Sequence, residues 1–275
     1  MSKQAALIAV DIGNARTKLG VFLATGPERL PEPDETLQID NQIEHLDSLG
    51  AWLDRIGVEQ SSWWIGSVNR PAATRLVDWL RERRPDDPVT LLSAADLGLK
   101  VEVARPDMVG VDRLLDALAA SHLRRPGHPA VVVDVGTAIT VDLVSADGAF
   151  RGGAILPGIA MSARALHEFT DLLPLVETSA LTSPPAAVGT STEQAMESGL
   201  FWGAVGSIRE LIGQMTADAS ANDRDDAAEP DVFLTGGAGP AVAHLLGPSA
   251  HCVPQLTLTG ILLAARAMAS GMAER

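Results

Sequence analysis

One short phrase, written twice, constrains this chain more than any other feature. Val10-Asp11-Ile12-Gly13-Asn14-Ala15-Arg16-Thr17 aligns with Val133-Asp134-Val135-Gly136-Thr137-Ala138-Ile139-Thr140. Asp, Gly, Ala and Thr coincide, and an apolar residue precedes each Asp. In each copy an apolar run leads into Asp-x-Gly and a second run follows, which reads as strand, tight turn and returning strand. Glycine permits the turn, or lets a ligand come close. One Asp-x-Gly after a strand is most often a plain hairpin. Two copies, each opening a half of a 275-residue chain, point to a duplicated unit. Two such units facing each other would bring both turns to one cleft. There the turn amides suit phosphate oxygens, and a carboxylate suits a cation lying beside a polyphosphate.

The rest of the composition narrows the class of partner. No uninterrupted apolar stretch reaches the roughly 18 residues of a membrane span, and Arg266 interrupts the best candidate, Ile261–Ala269. Asp11 ends the N-terminal apolar run with no cleavage-like site after it, so no secretory signal is expected. Cys252 is the sole cysteine, which excludes an intrachain disulfide and fits a reducing, cytoplasmic setting. A net charge of −14 opposes nucleic-acid binding. It also means that a polyanionic ligand needs local help from amides, cations or a few basic side chains.

Taken in order, the chain alternates strands and helices. Strands are expected at Ala5–Val10, Thr17–Leu23, Glu35–Ile39, Trp63–Val68, Val89–Leu92 and Leu99–Val103. Apolar residues at helical spacing mark Gln42–Ile56, and helices are also expected at Pro71–Arg83 and Val111–Leu123. Trp63 and Trp64 read as core and edge packing. The basic, proline-containing Arg124–Pro129 reads as a linker, giving domains 1–124 and 125–275. The second half repeats the pattern, with a third strand at Ala149–Leu156 and a helix from Pro157-Gly158. A loop follows over Thr170–Gly189. Thr192 then reads as the cap of a long helix. Asp218–Pro230 reads as an acidic loop, Val232–Leu234 and Cys252–Val253 as strands, and a last helix starts at Leu258. The fold class is therefore α/β with mixed sheets, duplicated.

Three groups can carry chemistry. The turns Asp11–Asn14 and Asp134–Thr137 offer amides, Asn14, Thr17, Thr137 and Thr140 offer side-chain donors, and Lys18 offers a compensating charge. Gly110-Val111-Asp112-Arg113 places an acid and a base at a helix N-terminus, where the dipole favours the ionised carboxylate. Alone it reads as a capping acid beside a surface arginine. At a cleft, Asp112 would accept a hydroxyl proton as that oxygen attacks phosphorus, and Arg113 would hold an anionic part of the substrate. No Walker-type loop, nucleophile elbow or zinc spacing is present. Gly236-Gly237-Ala238-Gly239 follows a strand without completing the dinucleotide fingerprint. It reads as a place where a helix start approaches a nucleotide or the sheet.

Taken together these segments resemble the type III pantothenate kinases, of the acetate and sugar kinase/heat-shock/actin superfamily. Asp11-Ile12-Gly13-Asn14 matches the family's first phosphate motif, Asp-x-Gly-Asn-Thr, and departs from it at Ala15. Pro106, Gly110, Asp112 and Arg113 match its Pro-x-x-x-Gly-x-Asp-Arg segment. Asp134, Gly136, Thr137 and Ala138 match its Asp-x-Gly-Thr-Ala motif, and Gly189 and Thr192 its Gly-x-x-Thr element. The resemblance implies duplicated ribonuclease H-like, actin-like ATPase domains. It implies ATP-dependent phosphorylation of pantothenate, the first step towards coenzyme A. ATP and Mg²⁺ would sit at Asp11, Ile12, Gly13, Asn14, Ala15, Arg16, Thr17 and Lys18, with Thr137 also on the ATP. Asp112 would be the proton acceptor, and Asp134 would hold a monovalent cation, K⁺ or NH₄⁺. Gly110, Val111, Asp112, Arg113 and Thr192 would contact pantothenate, and a homodimer is implied. Val103 stands where the family has a tyrosine, and this chain has no Tyr. Two rival readings follow: a kinase of another small alcohol, and a nucleotide-binding regulatory accessory protein without catalysis.

Overall fold

The structure is a computed structural model and describes residues 6–23, 32–41, 46–178, 183–222 and 228–273. It divides into two compact units. The first comprises residues 1–100, 104–123 and 255–275, and the second 101–103 and 124–254.

The first unit is built on a five-stranded sheet of β1 (Ala6–Ile12), β2 (Arg16–Phe22), β3 (Glu35–Asp40), β4 (Ser61–Ser67) and β5 (Val89–Leu91), ordered β3-β2-β1-β4-β5. β2 runs antiparallel to β1 and β3, while β4 runs parallel to β1 and β5. Side chains alternate across β1, so Ala6, Ile8, Val10 and Ile12 share one face. They join Leu49, Trp52 and Leu53 of α1 (Asp47–Ile56) and Leu76 and Leu80 of α2 (Arg70–Arg83) in one apolar cluster. Burying each such side chain is worth about 1.5–3 kcal/mol, so this face carries much of the unit's stability. On the opposite face lie α3 (Val111–Leu123) and the C-terminal helix α7 (Leu256–Ala273). Glycines set that contact. A Cβ on Gly66 of β4 would lie 2.6 Å from Leu115 Cδ1, and one on Gly260 of α7 would overlap the Leu115 carbonyl itself.

A buried polar knot ties the lower end of this sheet. Asp87, whose side chain is 6% exposed, accepts from Arg84 Nε at 2.8 Å, Ser61 Oγ at 2.7 Å and Trp63 Nε1 at 3.1 Å. Burial pushes the Asp87 carboxyl up, but these hydrogen bonds outweigh it and hold the group below its ordinary 3.8. A carboxyl lowered in the folded state contributes stability above its unfolded value, and that stability is lost as pH falls through the folded one. Asp87→Ala is thus expected to cost about 2–4 kcal/mol near neutral pH, since it removes the one carboxylate that Arg84, Ser61 and Trp63 share. In thermal melts the parent should lose more stability than Asp87→Ala on acidification below about pH 4.

The second unit repeats the plan with β6 (Ala130–Val135), β7 (Ala138–Val144), β8 (Phe150–Pro157), β9 (Asp231–Thr235) and β10 (Ala250–Cys252). Its order, β8-β7-β6-β9-β10, is that of the first sheet, with the same pattern of parallel and antiparallel pairs. The architecture is thus a ribonuclease H-like sheet present twice. Val131, Val133, Val135, Ile139 and Val141 face Phe201, Val205 and Ile208 of α5 (Thr192–Asn222) and Ala241 and Val242 of α6 (Gly239–Ala243). A further cluster joins α5 to α4 (Ile159–Glu168) through Ile159, Ala163, Met196 and Leu200. No helix among the described residues is long and apolar enough to cross a membrane.

Most expected elements form, with instructive differences. The strand expected at Leu99–Val103 is reduced to a bridge from Val101 to Phe150, and residues 101–103 pack with the second unit. Residues 42–45 of the expected Gln42–Ile56 helix lie outside the described residues, and α1 begins at Asp47. The long helix runs to Asn222, into the stretch expected as an acidic loop. Its cap is not Thr192, which is its first residue. Ser191 Oγ accepts from the Gln194 amide at 3.2 Å instead. The compact units are also not the contiguous segments 1–124 and 125–275. The second takes in residues 101–103 ahead of its main segment from Arg124, and α7 returns to the first, where its packing on α3, β1 and β4 holds it.

Candidate active site

The site is built from strand ends. In the first unit the Asp11–Thr17 hairpin closes with the Gly13 amide donating to the Arg16 carbonyl at 3.0 Å. Asp11 is out of phase with Val10 and Ile12, so its half-buried side chain leaves the face that packs on α1 and α2. Its register partner in β4 is Gly66. In-register residues of neighbouring strands point to the same side, and Gly66 packs on Leu115 of α3. Asp112 lies one helical turn before Leu115. Asp11 and Asp112 therefore belong to the same side of one sheet. Val68 links them further: its amide donates to the Ile12 carbonyl at 3.0 Å, and a Cβ on Gly110 would lie 3.5 Å from Val68 Cγ1.

Asp112 has the properties of a proton acceptor. Gly110 makes room for it, since a Cβ there would lie 2.5 Å from Asp112 Oδ1. The Arg113 amide donates to the same oxygen at 2.8 Å. Burial raises the carboxyl above its ordinary 3.8, and the amide and charge of Arg113 only partly offset this. A desolvated carboxylate so raised is a stronger base than one in water. Val111 is buried, whereas Asp112 and Arg113 are half-buried.

Around the first turn, Asn14, Ala15 and Arg16 are exposed and Lys18 is half-buried. Thr17 departs from the sequence reading. It is 8% exposed, and its hydroxyl donates to Asn41 Oδ1 at 2.6 Å, so it braces the turn rather than facing a ligand.

The second unit presents the equivalent turn. Asp134 is half-buried and Gly136 and Thr137 are exposed. Two close approaches grip the turn. The Gly158 amide donates to the Thr137 carbonyl at 3.1 Å, and a Cβ on Gly158 would overlap the carbonyls of Gly136 and Thr137. Gly236, at φ +86°, lies so close that a Cβ would overlap Asp134 Oδ1. Glycine is required there both by conformation and by space. Gly236 thus brings backbone up to the Asp134 carboxylate near the C-terminal end of β6, the central strand of its sheet. Val103 lies beside Gly152, with 3.3 Å between its Cγ1 and a Cβ placed there. Thr192 is exposed at the start of α5, and Gly189 packs so tightly on the first turn that a Cβ would overlap the Ala195 amide.

Residues 7–214 match the family model of type III pantothenate kinases. The chain belongs to that family. A type III pantothenate kinase of Phenylobacterium zucineum is 38% identical over 267 residues, 93% of this chain and 96% of its own length. Those of Acidiphilium cryptum and Dehalococcoides mccartyi are 37% and 32% identical, covering 80% and 95% of this chain and 80% and 97% of theirs. Among solved structures, a Sinorhizobium meliloti protein named as a candidate 2-dehydro-3-deoxygalactonokinase shares the fold, with a TM-score of 0.50 at 16% identity over 95% of this chain and 99% of that one.

The sequence reading missed the polar side chains behind the first turn. Asn41 and Asn69 both reach its carbonyls, from 28 and 55 residues away. Asn69 left a local trace, because Asn-Arg-Pro is a helix-start signal; Asn41 left none.

Proposed function

We propose that this chain transfers the γ-phosphoryl group of ATP to the hydroxyl of pantothenate, giving phosphopantothenate for coenzyme A synthesis. The observation that carries this reading is the placement of Asp11 and Asp112 on one side of one sheet, beside a hairpin of exposed amides. Phosphoryl transfer needs chiefly positioning and charge neutralisation. The Asp11–Lys18 hairpin holds the ATP phosphates through its amides, with Lys18 adding charge. Asp112, desolvated and adjacent to Arg113, orients the pantothenate hydroxyl and takes its proton. Gly110–Arg113 and Thr192 contact pantothenate, Arg113 as the partner of its carboxylate. Val103 takes the family tyrosine's place with an apolar surface.

Asp11 supplies a single carboxylate at the end of its strand, which fits Mg²⁺, an ion that keeps several waters and binds through one or two carboxylates plus phosphate oxygens. Bound with ATP, it would neutralise charge developing on the transferred group. Asp134 fits a monovalent cation, K⁺ or NH₄⁺, because Gly236 and Gly136 bring main chain to its carboxylate without side chains to fill the space. Thr137, exposed beside it, contacts ATP. A homodimer is supported by the large apolar side chains that the second unit leaves exposed, Phe169, Leu172 and Val188 at 82%, 87% and 80%, with Ile155 and Met161 exposed too. The cytoplasm supplies the substrates and suits a chain with one exposed, unpaired cysteine, Cys252.

The test is a coupled assay of ADP release from pure protein with Mg²⁺ and K⁺. ADP release should depend on pantothenate, yield phosphopantothenate by mass spectrometry, and fall when Na⁺ replaces K⁺. Absence of pantothenate-dependent release defeats the reading.

A further inference from the structure

The first turn is held open from behind by a pair of asparagines. Asn41 Nδ2 donates to the Gly13 carbonyl at 2.8 Å, and its amide donates to the Ala15 carbonyl at 2.9 Å. Asn41 is fixed in turn by the Thr17 hydroxyl on its Oδ1 and by Arg75 Nη2 on its carbonyl at 2.7 Å. From a different element, Asn69 Nδ2 donates to the Asn14 carbonyl at 3.1 Å. In a trans peptide the carbonyl and the following N–H point in opposite directions. Pinning the carbonyls of Gly13 and Asn14 therefore aims the amides of Asn14 and Ala15 away from the protein body. Two fixed, outward amides in a tight turn form an anion cradle. The departure at Ala15 removes a hydroxyl from this turn, which leaves the direction of its amides to carry more of the binding.

Asn69 does this with half of its side chain. Its Oδ1 accepts from the Ala72 amide at 3.1 Å and caps α2, and its Nδ2 holds the turn. We propose that Asn69 is a positioning residue for nucleotide phosphate, orienting the Asn14–Ala15 amides through the Asn14 carbonyl while it caps α2. The proposal rests on the nucleotide role given to the Asp11–Lys18 hairpin above. It adds that ATP affinity depends on a side chain that does not touch ATP.

The two halves of Asn69 can be separated. Serine is as good a helix cap as asparagine but too short to reach Asn14. Asn69→Ser should keep the parent's melting temperature within about 2 °C. It should raise KM for ATP roughly 3- to 10-fold, the worth of one well-placed hydrogen bond. The kcat and the KM for pantothenate should stay within about twofold. Asn69→Ala should show the same KM change and also melt lower, because it loses the cap. A purely structural role predicts that serine restores both properties, so an unchanged KM for ATP in Asn69→Ser overturns the proposal. Titration with ADP followed by calorimetry reads the same effect without turnover. If the parent binds ADP but phosphorylates no pantothenate, the functional reading fails and a 3- to 10-fold weaker ADP affinity in Asn69→Ser still supports the clamp. If the parent binds no ADP, the clamp fails as well.

Discussion

Replacing Asp112 with asparagine is expected to lower kcat by about 10²- to 10⁴-fold, the usual worth of a positioned proton acceptor. Asparagine matches the volume and can still accept from the Arg113 amide, so substrate positioning survives while proton transfer does not. KM for ATP should change little, since the hairpin that binds phosphate is elsewhere. Stability should move the other way from activity. Burial disfavours the ionised Asp112 and raises its carboxyl above 3.8. A carboxyl raised in the folded state contributes stability below its unfolded value and loses that contribution as pH rises through the folded one. Near neutral pH the ionised group is thus a desolvated charge offset only in part by Arg113. Asp112→Asn removes that charge and should melt at or above the parent. In the parent, the acid limb of kcat/KM should bend above pH 3.8, reflecting Asp112, and the residual activity of Asp112→Asn should lack that limb. A variant that keeps the parent rate takes Asp112 out of the chemistry.

What the sequence made legible was local. The two Asp-x-Gly hairpins depend on a period of two and a glycine, both visible within eight residues, and both form as expected. Asp112 at a helix start was equally plain. Three things were not. Thr17 looked like a ligand donor because its hydroxyl lies in the motif, yet its partner Asn41 is 24 residues away. The clamp of Asn41 and Asn69 arises only when strand and helix ends meet, so no spacing rule announces it. The extent of each unit was hidden for a similar reason. α7 reads as an apolar helix with nothing in its spacing to say which unit it joins; in the structure it packs on α3, β1 and β4, with Gly260 against the Leu115 carbonyl.

That contact gives the second large effect. Gly260→Ala is expected to destabilise the chain by about 3 kcal/mol or more and to lower the melting temperature by roughly 6–12 °C. Alanine in place of glycine inside a helix ordinarily gains about 1 kcal/mol, so the sign depends on space. A Cβ on Gly260 would overlap the carbonyl of Leu115, and it would lie 2.7 Å from the Leu115 carbonyl carbon. These are backbone atoms of α3, which cannot rotate aside, so α3 and α7 must separate along their contact, where the buried Leu115 and Ile261 also meet at Gly66. Gly66→Ala supplies the control. Its nearest neighbour is the far end of the Leu115 side chain at 2.6 Å, which can change rotamer, so its cost should be about 1–2 kcal/mol. Separation of α3 from α7 also moves Asp112, at the head of α3. Gly260→Ala should therefore lose kcat at temperatures where it remains folded, and Gly66→Ala should lose less. Equal melting temperatures for Gly260→Ala and the parent would mean that α7 does not seat on α3 at this close approach.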